Sequence, residues 1–159
     1  MGDRQRLADL EDILELLYEK LGVFEKELII AANTSTKFEL KQRIRREILP
    51  DLRRYEMEYW DLYPSETITI SEEEATTQII QVEHALESLE NITHTEYPPG
   101  LISLLQEIKA KLEDLGKPAS AKLKLTLPLI PAIASYELEM ETEGAMFKAW
   151  ESIKKLLRG

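Results

Sequence analysis

Leu7, Leu10, Leu14, Leu17, Leu21, Phe24 and Leu28 fall alternately three and four residues apart, the spacing that lays apolar side chains along one side of a helix as a coiled-coil seam. A helix is predicted from Arg4 to Ala32, with Gly22 inside it at a cost of about 1 kcal/mol relative to Ala. After the polar break Asn33-Thr34-Ser35 the pattern restarts, and Leu40, Ile44, Ile48, Leu52, Tyr55 and Tyr59 share one face. Thr36-Lys37-Phe38-Glu39 has the form of a capping box, so the second helix is expected to start there. The two helices make a long hairpin. Pro50 sits inside the second, where it removes a hydrogen bond and crowds the preceding turn, which predicts a kink or break near Leu49.

Pro64 ends that helix, and Thr67-Ile68-Thr69-Ile70 suits a short strand or an extended connector. Ser71-Glu72-Glu73-Glu74 is a second capping box, opening a helix whose buried stripe is Ala75, Ile79, Val82, Leu86 and Leu89. Residues 91–100, with Pro98-Pro99-Gly100, read as a loop. A fourth helix follows through Leu101, Leu104, Leu105, Ile108, Leu112 and Leu115, closed by Gly116. Leu123, Leu125 and Leu127 then alternate with Lys122, Lys124 and Thr126, and Tyr136, Leu138 and Met140 alternate with Glu137, Glu139 and Glu141. Charge alternating with bulk on both sides of Pro128-Leu129-Ile130-Pro131 predicts two antiparallel strands, although Ala, Leu and Glu in the second arm also suit a helix. Thr142 is the expected N-cap of a last amphipathic helix carrying Met146, Phe147, Ala149, Trp150, Ile153, Leu156 and Leu157.

The fold class expected is α+β and predominantly α: a long antiparallel helical hairpin, further helices and a small antiparallel β-hairpin. It is read as a single domain over 1–159, with the hairpin in 1–63 and the helices and β element in 64–159. The abrupt stop at Arg158-Gly159 reads as a module cut from a longer protein.

A formal charge of -10 repels phosphate backbones and argues against nucleic acid as a partner. The charge is uneven, because Asp9, Glu11, Asp12, Glu15, Glu19, Glu25 and Glu27 crowd the first helix and Lys37, Lys41, Arg43, Arg45, Arg46, Arg53 and Arg54 the second. Solvated faces and cross-helix ion pairs explain this first, with a basic stripe for an acidic partner or anionic lipid as the sharper reading. The chain has no cysteine, which removes disulfides and thiolate chemistry and fits a reducing compartment. Its first residues hold no apolar signal core, and Arg6 stands where a myristoylation signal wants Ser or Thr, so a cytoplasmic location is expected.

No catalytic motif is legible. Glu83, His84 and Glu87 lie within a turn of one another, with His94 and Glu96 beyond, but neighbours of this kind arise by chance in a glutamate-rich chain, and the paired-histidine spacing of zinc helices is absent. Glu72-Glu73-Glu74 is explained by capping. Neither a glycine-rich phosphate loop nor a nucleophile elbow occurs, so no metal and no cofactor is expected. The uncharged stretch from Leu125 to Tyr136 is too short for a membrane-spanning helix, which needs about 20 apolar residues, and a membrane is not expected as partner. At the end of helix two, Tyr59, Trp60 and Tyr63 cannot all share the buried stripe with Tyr55, so some reach the surface as covering for the next layer or as anchors for a partner.

Leu40-Lys41-Gln42-Arg43-Ile44 and Tyr59-Trp60-Asp61-Leu62, with Lys124-Leu125-Thr126-Leu127-Pro128-Leu129-Ile130-Pro131, Ser135-Tyr136-Glu137-Leu138-Glu139 and the Trp150 helix, together resemble a module of cyanobacterial multidomain proteins. There the resemblance is to effector-associated regions beside signalling NTPases of the NACHT-like, STAND class, and it spans most of the chain through structural motifs. It implies a non-enzymatic recruitment or oligomerisation role in a signalling or defence assembly. The function expected is protein–protein interaction, with another protein or with itself, through Tyr59, Trp60 and Tyr63 and the basic face of Arg45, Arg46, Arg53 and Arg54. Two rivals are a membrane-active effector using a 123–140 hairpin and a small metal-dependent enzyme in which Glu83, His84, His94 and Glu96 converge.

Overall fold

A computed structural model of the chain describes residues 2–91, 97–141 and 144–158. It shows helices and, among the described residues, no strand, so the fold is all-helical and the expected β-hairpin is corrected below. Two compact units divide the chain, Met1–Leu62 and Tyr63–Gly159.

The first unit is the hairpin, in which α1 (Gly2–Ile30) packs against α2 (Thr34–Arg43), a π-helical turn (Ile44–Ile48) and α3 (Leu49–Leu62). Its seam is intramolecular. Leu10, Leu14, Leu21 and Phe24 are buried against Leu40, Ile48, Leu49, Leu52 and Tyr59. Asn33, not Thr36, caps α2, its Oδ1 accepting the Thr36 N–H at 2.7 Å, so the helix starts two residues ahead of the expected box. Pro50 neither ends nor interrupts the helix. It has no N–H to offer the Arg46 carbonyl and its ring crowds that turn. The preceding turn widens to π geometry, with the Leu49 N–H reaching back to the Ile44 carbonyl, and the helix then continues as α3.

Two polar contacts tie the base of the hairpin. The Arg6 guanidinium donates to both Glu58 carboxylate oxygens at 2.6 and 2.9 Å, and the Tyr59 hydroxyl donates to Glu11 at 2.8 Å. The first pair reverses the expected sign, since the cation comes from the acidic helix. Nearer the turn the Arg43 guanidinium lies 4.6 Å from the centre of the Phe24 ring.

The second unit opens with a 3-10 turn (Ser65–Thr67) and an extended segment over 68–70 that buries Ile68, so the connector reading holds and the strand reading does not. Its helices are α4 (Glu72–Glu90), α5 (Pro99–Leu112), α6 (Ala119–Thr126), α7 (Leu129–Met140) and α8 (Ala145–Arg158). Within this unit α4 packs on α6 and α8, α5 on α6 and α7, and α7 on α8. Ser71 caps α4 as expected, its Oγ accepting the Glu74 N–H at 3.1 Å. Every residue of the expected α4 stripe is buried. Glu72 then reaches across to the start of α6, where its carboxylate accepts the Ala119 N–H at 2.9 Å and the Ser120 N–H at 3.2 Å. The Ser120 hydroxyl also donates to Glu72, and these bonds hold the Glu72 carboxyl below the usual range. The helix α5 ends at Leu112, before Gly116, and leaves Leu115 in solvent.

The two expected strands are α6 and α7. Alternation at Leu123, Leu125 and Leu127 concealed an i, i+4 pair: Leu123 and Leu127 are buried while Leu125 is exposed. Pro128 is the N-cap residue of α7 and Pro131 lies in its first turn, where backbone N–H groups have no helical partner, so the prolines start a helix where a strand connection was expected. In the second arm the alternation is inverted, because Glu137 is buried and its neighbours Tyr136 and Leu138 are half-buried. Of the uncharged stretch that prompted the membrane-hairpin rival, Leu125 to Tyr136, residues 129–135 are buried inside this unit while Leu125 is exposed, and no helix among the described residues is long and apolar enough to cross a membrane. The expected N-cap Thr142 lies outside the described residues.

Candidate functional site

Glu137 is a buried acid with a structural task. Its Oε2 accepts the Met146 N–H and its Oε1 the Phe147 N–H, both at 2.9 Å, so a side chain of α7 satisfies the first turn of α8. Burial pushes the carboxyl above the ordinary glutamate range, and the two amide bonds pull it only part of the way back. An acid raised by folding contributes stability that is full below its unfolded pKa and is lost as pH rises through the folded value. Glu137→Gln does not titrate there. The stability of wild type relative to this variant is therefore expected to rise between pH 7 and pH 4.5, as read by urea midpoints. A flat or opposite trend means that the amide bonds outweigh burial.

A groove of about 430 Å³ lies in the second unit, with Glu83, His84 and Glu87 from α4 on its wall and Lys109 and Glu113 contributed by α5 and its end. Glu90 pairs with Lys109. Among the described residues no three His, Cys, Asp or Glu side chains are placed to hold a metal ion, and the further ligands of the metal-enzyme rival, His94 and Glu96, lie outside them.

The structure separates the residues expected to meet a partner. Tyr59 is buried, its hydroxyl on Glu11 and its ring edge-to-face with Trp60 at 4.9 Å. Trp60 is half-buried, and Tyr63 opens the second unit, also half-buried. On the basic face Arg46 and Arg54 are exposed and Arg45 and Arg53 half-buried, with Arg54 against Asp51 at 3.2 Å and over the Tyr55 ring.

A different surface carries the exposed bulk of the first unit. Leu16, Val23, Ile29, Ile30 and Phe38 are all more than half in solvent, from Val23 at 54% to Ile29 at 83%. Leu16, Val23 and Ile30 stand seven residues apart on α1, one side chain every two turns, and Ile29 and Phe38 flank the hairpin turn. In the sequence this row is masked by the stronger seam beside it. The signal was present as a second heptad on the same helix. Compared with known protein families, with curated proteins and with solved structures, the chain matches none.

Proposed function

We propose that the chain is a non-enzymatic helical module that works by protein–protein interaction, with the turn-proximal half of the hairpin as its contact surface. The observation that carries this reading is the row Leu16, Val23 and Ile30, with Ile29 and Phe38 also exposed on either side of the turn. Single exposed apolar side chains are ordinary, whereas a row along one helix marks a place where another surface lies. The half-buried Trp60 and the arginines at 45, 46, 53 and 54 of the first unit, and Tyr63 of the second, are the further contact residues of this proposal. By the resemblance stated above, the assembly served is a signalling or defence complex organised around an NTPase.

The test is recovery of the cross-linked, tagged chain from its own cells, alongside two variants. One carries Ser at Leu16, Val23, Ile29, Ile30 and Phe38; the other is Trp60→Ala with Tyr63→Ala. A stoichiometric partner that the first variant loses, at unchanged helical content, supports the proposal. Identical recovery with wild type and both variants overturns it.

A further inference from the structure

We infer that the bare row of α1 pairs with the same row of a second copy of this chain, running antiparallel. This deepens the interaction reading above and rests on it. The row is Leu16, Lys20, Val23, Glu27 and Ile30, preceded by the half-buried Ile13, a second alternation of threes and fours on α1. At about 100° per residue it lies roughly a third of a turn around the helix from the buried seam. A helix in a four-helix bundle presents two such faces to two neighbours, and α1 has one neighbour within its hairpin. A two-helix unit of this size also has a small core, and a second contact supplies burial that its single seam does not.

The charges choose the occupant and its direction. Lys20 and Glu27 interrupt the row, and Glu19 and Lys26 flank it; all four are exposed. In a parallel pair, Lys20 would face the partner's Lys20 and Glu27 the partner's Glu27, which is repulsive twice over. An antiparallel pair with its two-fold axis between Leu21 and Gly22 sets Ile13 level with the partner's Ile30 and Val23 level with the partner's Lys20. Each Lys20 stem then lies along Val23, with its ammonium one layer from the partner's Glu27, and each Glu19 falls beside the partner's Lys26. Four opposite-charge pairs arise from one register, in which Ile13 meets the partner's Ile30 at both ends and Leu16 stands level with the stem of the partner's Glu27.

The test is sedimentation of the purified full chain with charge variants and with introduced cysteines, which are unambiguous because the chain has none of its own. Wild type is expected to dimerise, Lys20→Glu to weaken the dimer about tenfold or more, and Lys20→Glu combined with Glu27→Lys to restore it. Under oxidation, Ile13→Cys mixed with Ile30→Cys is expected to give a covalent heterodimer, and Ile13→Cys alone none. A monomer at every concentration overturns the inference and leaves the interaction proposal to its own cellular test, in which a different protein as partner would keep the proposal and discard self-pairing. A dimer indifferent to Lys20→Glu, or one that cross-links through two copies of Ile13→Cys, also overturns it.

Discussion

Trp150→Ala is expected to destabilise the second unit by about 3–5 kcal/mol, the range for truncating a fully buried large aromatic side chain. Trp150 is fully enclosed and lies on α8, which packs on both α4 and α7. Removing the indole therefore leaves a cavity among three helices, which cannot all move inward without breaking other contacts. A loss of that size is a large part of the 5–15 kcal/mol that typically separates folded from unfolded domains. Hydrogen exchange should show the greatest loss of protection in α4, α7 and α8. A variant with wild-type urea midpoint and protection would mean that Trp150 is not the centre of this core.

Leu10→Ala is expected to cost about 3 kcal/mol in the hairpin, while Leu16→Ala, less than two turns away on the same helix, changes the monomer by less than about 0.5 kcal/mol. Leu10 is fully buried in the seam and Leu16 is mostly in solvent. The same side chain thus has two expected outcomes, decided by which side of α1 it occupies. Because the hairpin has one seam, Leu10→Ala removes a large share of what holds it closed, and exchange in α1 and α3 should approach that of an open chain. Equal effects at the two positions would contradict the division of α1 into a covered and a bare face.

The hairpin is legible because its seam repeats through seven positions, a periodic signal long enough to survive Gly22, and because the face of the second helix resumes beyond Pro50. The capping box at Ser71 was legible because it is a local contact between residues three apart. What failed depended on distant partners. Over Leu123 to Leu127 a spacing of two also contains a spacing of four, and only the packing of α6 shows which governs. Glu137 looked like the wet position of a strand because its reason for burial, the start of α8, lies nine and ten residues further along. The disturbance expected at Pro50 appeared upstream as a π turn, since the helix had room to widen ahead of the proline. For the contact surface, spacing shows that Tyr59, Trp60 and Tyr63 cannot all share the buried stripe but not which of them stays in it, and Tyr59 does so because Glu11 supplies a partner for its hydroxyl inside the hairpin.

The most direct measurement is the mass in solution by light scattering, over a wide concentration range, of the wild-type chain and of Leu16→Ser/Val23→Ser/Ile30→Ser. Wild type is expected to rise from its 18.4 kDa chain mass to twice that value, and the variant to stay at one chain with unchanged helical content. Equal masses for the two at every concentration, with recovery from cells equally indifferent to the substitutions, would contradict the claim that the bare face of α1 is the surface on which this protein acts.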